Sequence, residues 1–419
     1  MKIWLVSAEM GYGHLRTAYP FLKYANNEKI ISIGNDEFTS PKVKSKWQRM
    51  QKLYEFITRN KDKNFVGKFL FKLLNKMLWI PNPYTNKDLS KPTFQVKTLY
   101  SYIKDGLYDD FIKIIEKENL PILSTFYAPT IAADYLGFDK NYCIITDSDL
   151  NRVWVAEDPK KSNVKYFVSS YRAYNRLKKY GVLPQNIFVT GYPFNRNIFT
   201  DKAVKYSIAR RLKLFAPENF YLQKLAKELL QLEFQNIERN EPLTIMYAVG
   251  GAGAQKEIGA KIVKSFKQDL LDGNCKIILV AGSRKDVAEY YFNLIGKYKL
   301  PNLSILYNED KIAYFEEFDK NILEADILWT KPSELSFYSA LGIPLILTPS
   351  VGAQEKCNKI WLRDELGIGI IQNKPKFAHL WLKDLIKTGR LAEVTLLSYA
   401  KQNLDGTDKI LSIIKNGKI

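Results

Sequence analysis

Histidine is almost missing from this sequence: His14 and His379 are the two in 419 residues. Cysteine is as scarce, and Cys143, Cys275 and Cys357 stand isolated, odd in number and without metal-ligand spacing. These scarcities exclude a His/Cys zinc site and point to reduced core thiols in a cytoplasmic protein. No apolar run approaches the ~20 residues that cross a bilayer. The first residues read as a strand from residue 2, without the charged, apolar and small-residue order of a signal peptide. Acidic charge is the other shortage: 63 Lys and Arg face 44 Asp and Glu, a formal net charge of +19.

The basic excess is uneven. Residues 42–80 hold eleven Lys or Arg against Glu55 and Asp62, a local net of +9. Such a concentration implies an anionic partner. Within it, VGKFLFKLLNKMLWIP sets Val66, Phe69, Leu70, Leu73, Leu74, Met77 and Leu78 on one helix face, with Lys68, Lys72 and Lys76 on another. That face suits packing on its own domain or resting on an anionic membrane surface. No nucleic-acid motif accompanies it, so nucleic acid is not an expected partner.

Hydrophobic residues make up 46% of the chain, enough for sizeable cores, and the length suits two domains. Short apolar runs alternate with helix-length segments: KIWLVSA, ILSTFYA, NYCIITD, VKYFVSS and NIFVTG, then LTIMYAVGG, CKIILVAG, LSILYN, ADILWT and PLILTPS. This alternation predicts an α/β protein with two Rossmann-like, doubly wound parallel sheets and ligands at the carboxyl ends of the strands. The expected division is an N-terminal domain over 1–199, with a helical insertion at 42–100, and a helical connection over 200–240. A second domain then covers 241–395, and a C-terminal helix over 396–419 packs back on the first.

Three loops carry chemistry. SAEMGYGHLRTA runs from a strand through Gly11, Tyr12 and Gly13 to His14 at a helix start. The glycines allow close backbone approach, the helix N-terminus favours an anion, and His14 can donate to a phosphate or act as a base. A satisfied structural histidine is the alternative. YAVGGAGAQKEIG repeats the form with Gly250, Gly251, Gly253 and Ala254 before a helix from about Gln255. That is a diphosphate cradle or a tight turn, and it lacks the GKS/GKT of an ATP-type P-loop. Arg284, after the next strand, can pair with phosphate. Finally, ADILWTKPSELSFYSALGIPLILTPSVGAQEKCNKIWL sets Lys331, Ser333 and Glu334 at a strand end, and Gln354, Glu355 and Asn358 after the following strand. Ser333, Glu334 and Ser336 suit a helix N-terminus, and Gln354 and Glu355 can hold sugar hydroxyls.

Taken in order, the GYGH loop, YFVSSYRAYNRLKKYGVLPQNIFVTGYPFN, GGAGAQ, ADILWTKP…ALGIP and QEKCN resemble the GT-B glycosyltransferases. The likeness is to the branch of monogalactosyldiacylglycerol synthases, processive diacylglycerol glucosyltransferases and the peptidoglycan N-acetylglucosaminyltransferase. It covers most of the chain outside 42–100 and 200–240. The resemblance implies that Gly11–His14 faces the acceptor side of an interdomain cleft. It implies that the Gly250–Gly253 and Lys331–Ser336 loops face a nucleotide-sugar diphosphate, with Gln354 and Glu355 near the donor sugar and Asn358 behind. It implies no cofactor and no metal, the leaving UDP being stabilised by helix N-termini and basic side chains.

The chain departs from this branch at three points. The usual K-P-G-G is Lys331-Pro332-Ser333-Glu334, which narrows the approach to phosphate and adds a carboxylate. The ribose-binding glutamate aligns with Ser339, leaving Glu334 as the carboxylate at hand. The branch's histidine after the T-D strand is replaced around Asn151 and Arg152, leaving Asp147 and Asp149 as acids. The expected activity is transfer from a UDP-sugar to a lipid or other membrane-associated acceptor at the inner face of the membrane, with His14 or Asp147 as base. A UDP-sugar 2-epimerase and a GT-B-like binding protein without turnover remain as alternatives.

Overall fold

Trp4–Ala8 (β1) is buried along its length and splits its side chains between two cores. Trp4, Val6 and Ala8 join one cluster, while Leu5, with Ile3 before it, joins the other. A strand covered on both faces is mostly apolar, and Ser7 is the exception, its buried hydroxyl accepting from Thr125 at 3.0 Å. In this computed structural model the described residues are 1–419 except 10, 34–38, 42, 46–47, 50–78, 217–218, 232–236, 238, 252, 351, 372–373 and 417–419. The amphipathic stretch 66–78 therefore lies outside the described residues, as does most of the basic segment.

Parallel to β1 lie Ile31–Ile33 (β2), Ile122–Ser124 (β3), Asn141–Ile144 (β4), Lys165–Val168 (β5) and Ile187–Val189 (β6). The six form one sheet in the order β2-β1-β3-β4-β5-β6. A second parallel six-stranded sheet comprises Leu243–Ala248 (β7), Cys275–Gly282 (β8), Leu303–Tyr307 (β9), Ile327–Thr330 (β10), Leu345–Leu347 (β11) and Gly369–Ile371 (β12). Its order is β12-β11-β10-β7-β8-β9. Both are open α/β sheets with strand order reversing beside the first strand of each, the doubly wound arrangement.

The chain forms two units: Met1–Asn195 with Gly352–Cys357 and Asp405–Ile419, and Arg196–Val351 with Asn358–Leu404. Residues 200–240, expected as a connection, thus fold with the second unit. The reason is visible in helix Asp201–Phe215, whose Arg211 is wholly buried. Its guanidinium donates to the carbonyls of Ile322 (2.9 Å), Ala325 (2.9 Å) and Leu341 (2.8 Å). Arg210 and Ser207 donate to Glu324 and Leu323. One helix thereby satisfies the open carbonyl end of helix Lys311–Glu324. Burial pushes the Arg211 pKa down to about 9, against the opposing pull of Asp326.

The expected C-terminal element divides in two. Helix Arg390–Ala400 stays with the second unit, whereas helix Gly406–Asn416 returns to the first. Ile410, Ile413 and Ile414 enter the cluster that contains Ile3, Leu5, Phe21 and Phe167. Gly406 makes the entry possible, because a β-carbon there would stand 2.4 Å from the Tyr192 carbonyl oxygen.

Candidate functional site

In the second unit β7 ends at Ala248, and a turn closed by Gly253 N–H to the Gly250 carbonyl (2.7 Å) leads into helix Lys256–Ser265. Gly253 sits at φ +69°, a region that disfavours other residues. Two cations lie against this loop. A β-carbon at Gly250 would stand 2.0 Å from Lys331 Cε and 2.7 Å from its Nζ, so the lysine runs over the glycine backbone. A β-carbon at Gly253 would stand 3.7 Å from Arg284 Nε. Arg284 precedes helix Lys285–Tyr298 and pairs with the half-exposed Asp286 through Nε at 2.9 Å. Glycine loop, helix N-terminus and paired cations together favour a bound anion.

Lys331 follows β10, and the turn after it is tight: Ser333 N–H donates to the Lys331 carbonyl (2.8 Å) and Ser336 N–H to that of Ser333 (2.9 Å). Ser333 has φ −105° and ψ −150°, ordinary extended backbone, so serine in place of glycine there introduces no backbone strain. It precedes the 3-10 helix Glu334–Leu341 without a side-chain cap bond, contrary to the capping expected of it. Glu334 is half-buried in the first turn. Asn358 is fully buried and donates to the Pro332 carbonyl (3.2 Å), which braces the turn from behind. Ser339, aligned with a ribose ligand, is a core residue instead: it donates to the Ser336 carbonyl (2.8 Å) and accepts from Gln402 (2.8 Å).

In the first unit Gly11 carries φ +110° before helix Tyr12–Ala18. Gly13 lies within that helix. Tyr12, expected on the acceptor side with these glycines, is only 6% exposed and belongs to the interior. His14 is half-buried, its ring edge-on to Phe126 with centroids 5.2 Å apart. Its Nδ1 lies 2.6 Å from the Thr125 carbonyl oxygen. A carbonyl only accepts, so Nδ1 carries the proton and Nε2 is the basic nitrogen of the neutral ring. Thr125 returns a bond to the His14 carbonyl (3.0 Å), clamping the helix start. The sequence signal for Thr125 was absent, since a threonine after an apolar run has many uses.

The two candidate acids separate. Asp147 is half-buried at the end of the β4 segment. Asp149 is fully buried and accepts from Arg176 Nε (2.7 Å), Arg176 Nη2 (2.9 Å) and Arg172 Nε (3.0 Å). It is a structural anchor, not a base. Arg152, near the missing branch histidine, donates to the carbonyls of Ser90, Val155 and Ala156. It braces the chain returning from the insertion.

Gln354 and Glu355 open helix Ala353–Ile360 and belong to Gly352–Cys357, which sides with the first unit. The structure therefore gathers Gly250, Gly251, Gly253, Ala254, Arg284, Lys331, Ser333 and Glu334 in one unit, and Gly11, Gly13, His14, Asp147, Gln354 and Glu355 in the other. His379 bonds Ser265 at 2.9 Å within the second unit and serves packing. Among the described residues no group of three His, Cys, Asp or Glu side chains could hold a metal ion.

No known family profile matches the chain. It is 25% identical over 236 residues to the processive diacylglycerol β-glucosyltransferase of Bacillus licheniformis, covering 55% of this chain and 50% of that protein. The alignment thus spans about half the length of that relative. The Bacillus pumilus protein of the same name aligns at 22% identity over 417 residues, 96% of this chain and 90% of its own. In fold, the co-structure of Staphylococcus aureus MnaA with UDP matches at a TM-score of 0.50 and 14% identity, covering 99% of this chain and 96% of that one. A Listeria monocytogenes protein provisionally named as a UDP-N-acetylglucosamine 2-epimerase matches at 0.50 and 13%, covering 100% and 97%. With its two parallel α/β sheets, the chain has a GT-B-type fold, and in sequence it resembles the processive diacylglycerol β-glucosyltransferases.

Proposed function

We propose that the chain transfers a sugar from a UDP-sugar to a hydroxyl of a lipid or other membrane-associated acceptor, without a metal. The observation that carries the reading is the convergence of Lys331 and Arg284 on the Gly250–Gly253 loop. Two neighbouring cations and the N-terminus of helix Lys256–Ser265 offer a diphosphate the charge that a divalent ion supplies elsewhere.

In this reaction the acceptor oxygen attacks the anomeric carbon while the bond from that carbon to the phosphate oxygen breaks. The electron pair leaves with UDP, whose charge Lys331 and Arg284 take up. The acceptor proton passes to a base. His14 Nε2 suits that task because the Thr125 carbonyl holds the proton on Nδ1. Asp147 is the second candidate. The altered Lys331-Pro332-Ser333-Glu334 turn remains compatible with donor binding, since it needs no glycine backbone at Ser333.

The lipid acceptor rests on the activity for which the Bacillus relatives are named, and the basic segment 42–80 fits an anionic cytoplasmic membrane face. Among the described residues no helix is long and apolar enough to cross a membrane. Calorimetric titration with UDP tests the donor site, and UDP-glucose with diacylglycerol-containing vesicles tests the product. The reading requires UDP binding that weakens at least about tenfold in Lys331→Ala. Absence of UDP binding overturns it.

A second reading is a UDP-sugar 2-epimerase, favoured by the fold shared with the Listeria monocytogenes protein provisionally named as one. Incubating UDP-N-acetylglucosamine with the protein in heavy water separates the two. Deuterium appearing at C2 without an acceptor supports epimerisation and removes the transferase.

A further inference from the structure

Gln255 holds a backbone conformation that its position in the fold does not ordinarily provide. It immediately precedes helix Lys256–Ser265, yet it sits at φ 71° and ψ 19°, in the left-handed region. Residues before a helix normally take extended angles, whereas left-handed ones belong after its end. Gln231 and Lys299, also left-handed, follow helices in the usual way. Gln255 does not, and it is not a glycine.

Three hydrogen bonds hold it there. Its Oε1 accepts from the buried Thr348 hydroxyl at 2.7 Å, and its Nε2 donates to the Pro349 carbonyl at 2.9 Å. Its own carbonyl accepts from the buried Tyr247 hydroxyl at 2.7 Å. The side chain thus ties the end of the glycine loop to the exit of β11, and the main chain ties it back to β7. A strained conformation fixed by its surroundings at a ligand loop points to pre-organisation.

We propose that Gln255 is a positioning residue that locks the Gly250–Gly253 loop in its anion-receiving form by bolting it to Thr348 and Pro349. This rests on the donor-site reading above. It explains why a long amide stands where glycine would be the low-strain choice: glycine would accept the angles but leave the loop untied.

The test is Gln255→Gly, with Gln255→Ala beside it. If Gln255 serves only the backbone, glycine matches or improves on the native protein in every respect. We expect instead that Gln255→Gly keeps or raises Tm, yet lowers UDP affinity roughly tenfold. We also expect it to speed amide exchange in peptides covering 249–256 and 345–350. Gln255→Ala, which keeps the strain and loses the bonds, lowers both Tm and affinity. Native affinity and native exchange in Gln255→Gly overturn the proposal. Should the native protein bind no UDP, the donor-site reading fails by itself, and the exchange measurement still decides whether Gln255 fixes the loop.

Discussion

Lys331 lies over the backbone of Gly250 so closely that a β-carbon there would enter the space of its Cε, 2.0 Å away. The clash is with the end of a flexible side chain, so the fold survives it by moving the lysine. Gly250→Ala is therefore expected to displace the cation without unfolding the unit. Calorimetry should show UDP affinity down by about ten- to a hundredfold, the size of one charge-assisted contact. A thermal scan should show a near-native Tm.

Asp286 shares Arg284 with any anion at the loop. The pair is partly exposed, so its contribution to stability is small. Asp286→Asn removes the competing carboxylate and is expected to tighten UDP binding by up to about fivefold. The comparison is made by titration at low salt, where the effect is largest.

Asp149 neutralises two arginines in the interior of the first unit. Asp149→Asn removes the carboxylate that Arg176 and Arg172 share and should cost about 3–5 kcal/mol in urea unfolding. Asp147→Asn tests the base instead. If Asp147 takes the acceptor proton, that variant loses turnover while UDP affinity stays native.

Arg211 should be irreplaceable by either a neutral or a smaller cationic side chain. Arg211→Met leaves the carbonyls of Ile322, Ala325 and Leu341 without donors, at about 1–3 kcal/mol for each buried acceptor that finds no other. Arg211→Lys recovers only part, because one ammonium lacks the planar fork that reaches three carbonyls. Denaturant midpoints of the two variants give the comparison.

Burial pushes the Cys357 thiol from 9.0 up to about 11, with the Asp149 charge adding to it. Alkylation at pH 8 should be slower than for a free thiol, and its rate should climb until about pH 11. The folded state keeps this proton longer than the unfolded chain does. Its contribution to stability is therefore complete below pH 9.0 and is lost as pH rises towards 11. Cys357→Ser removes that alkaline slope in unfolding experiments.

The inner strands of both sheets were legible because burial on two faces keeps them mostly apolar, with isolated polar residues such as Ser7, Asn141 and Thr244. The edge strands β2 and β12 were not, the residues of β12 being half-buried. Helices Asp201–Phe215 and Phe220–Leu230 could be read, but not their unit. Arg211 finds its carbonyl partners more than a hundred residues away, and nothing local signals that. At the candidate site, Lys331, Arg284 and the glycines were readable as residue types suited to phosphate. That Lys331 crosses Gly250 was not, nor was Gln255, whose left-handed backbone is fixed by Thr348 and Pro349 from another strand end. Tyr12 was expected beside the acceptor-side glycines and is buried, because motif position says nothing of which way a side chain turns.

Helix Gly406–Asn416 has a consequence for the birth of the protein. Ile3 and Leu5 are made roughly four hundred residues before Ile414, and the core that receives them lacks three isoleucines until that position has been added. At roughly 5–20 residues per second the nascent first strand waits from about 20 s to more than a minute for its last neighbours. During that interval its apolar face is covered only in part, by earlier residues such as Phe21 and Phe167, and a chaperone holding the early chain would find its task there.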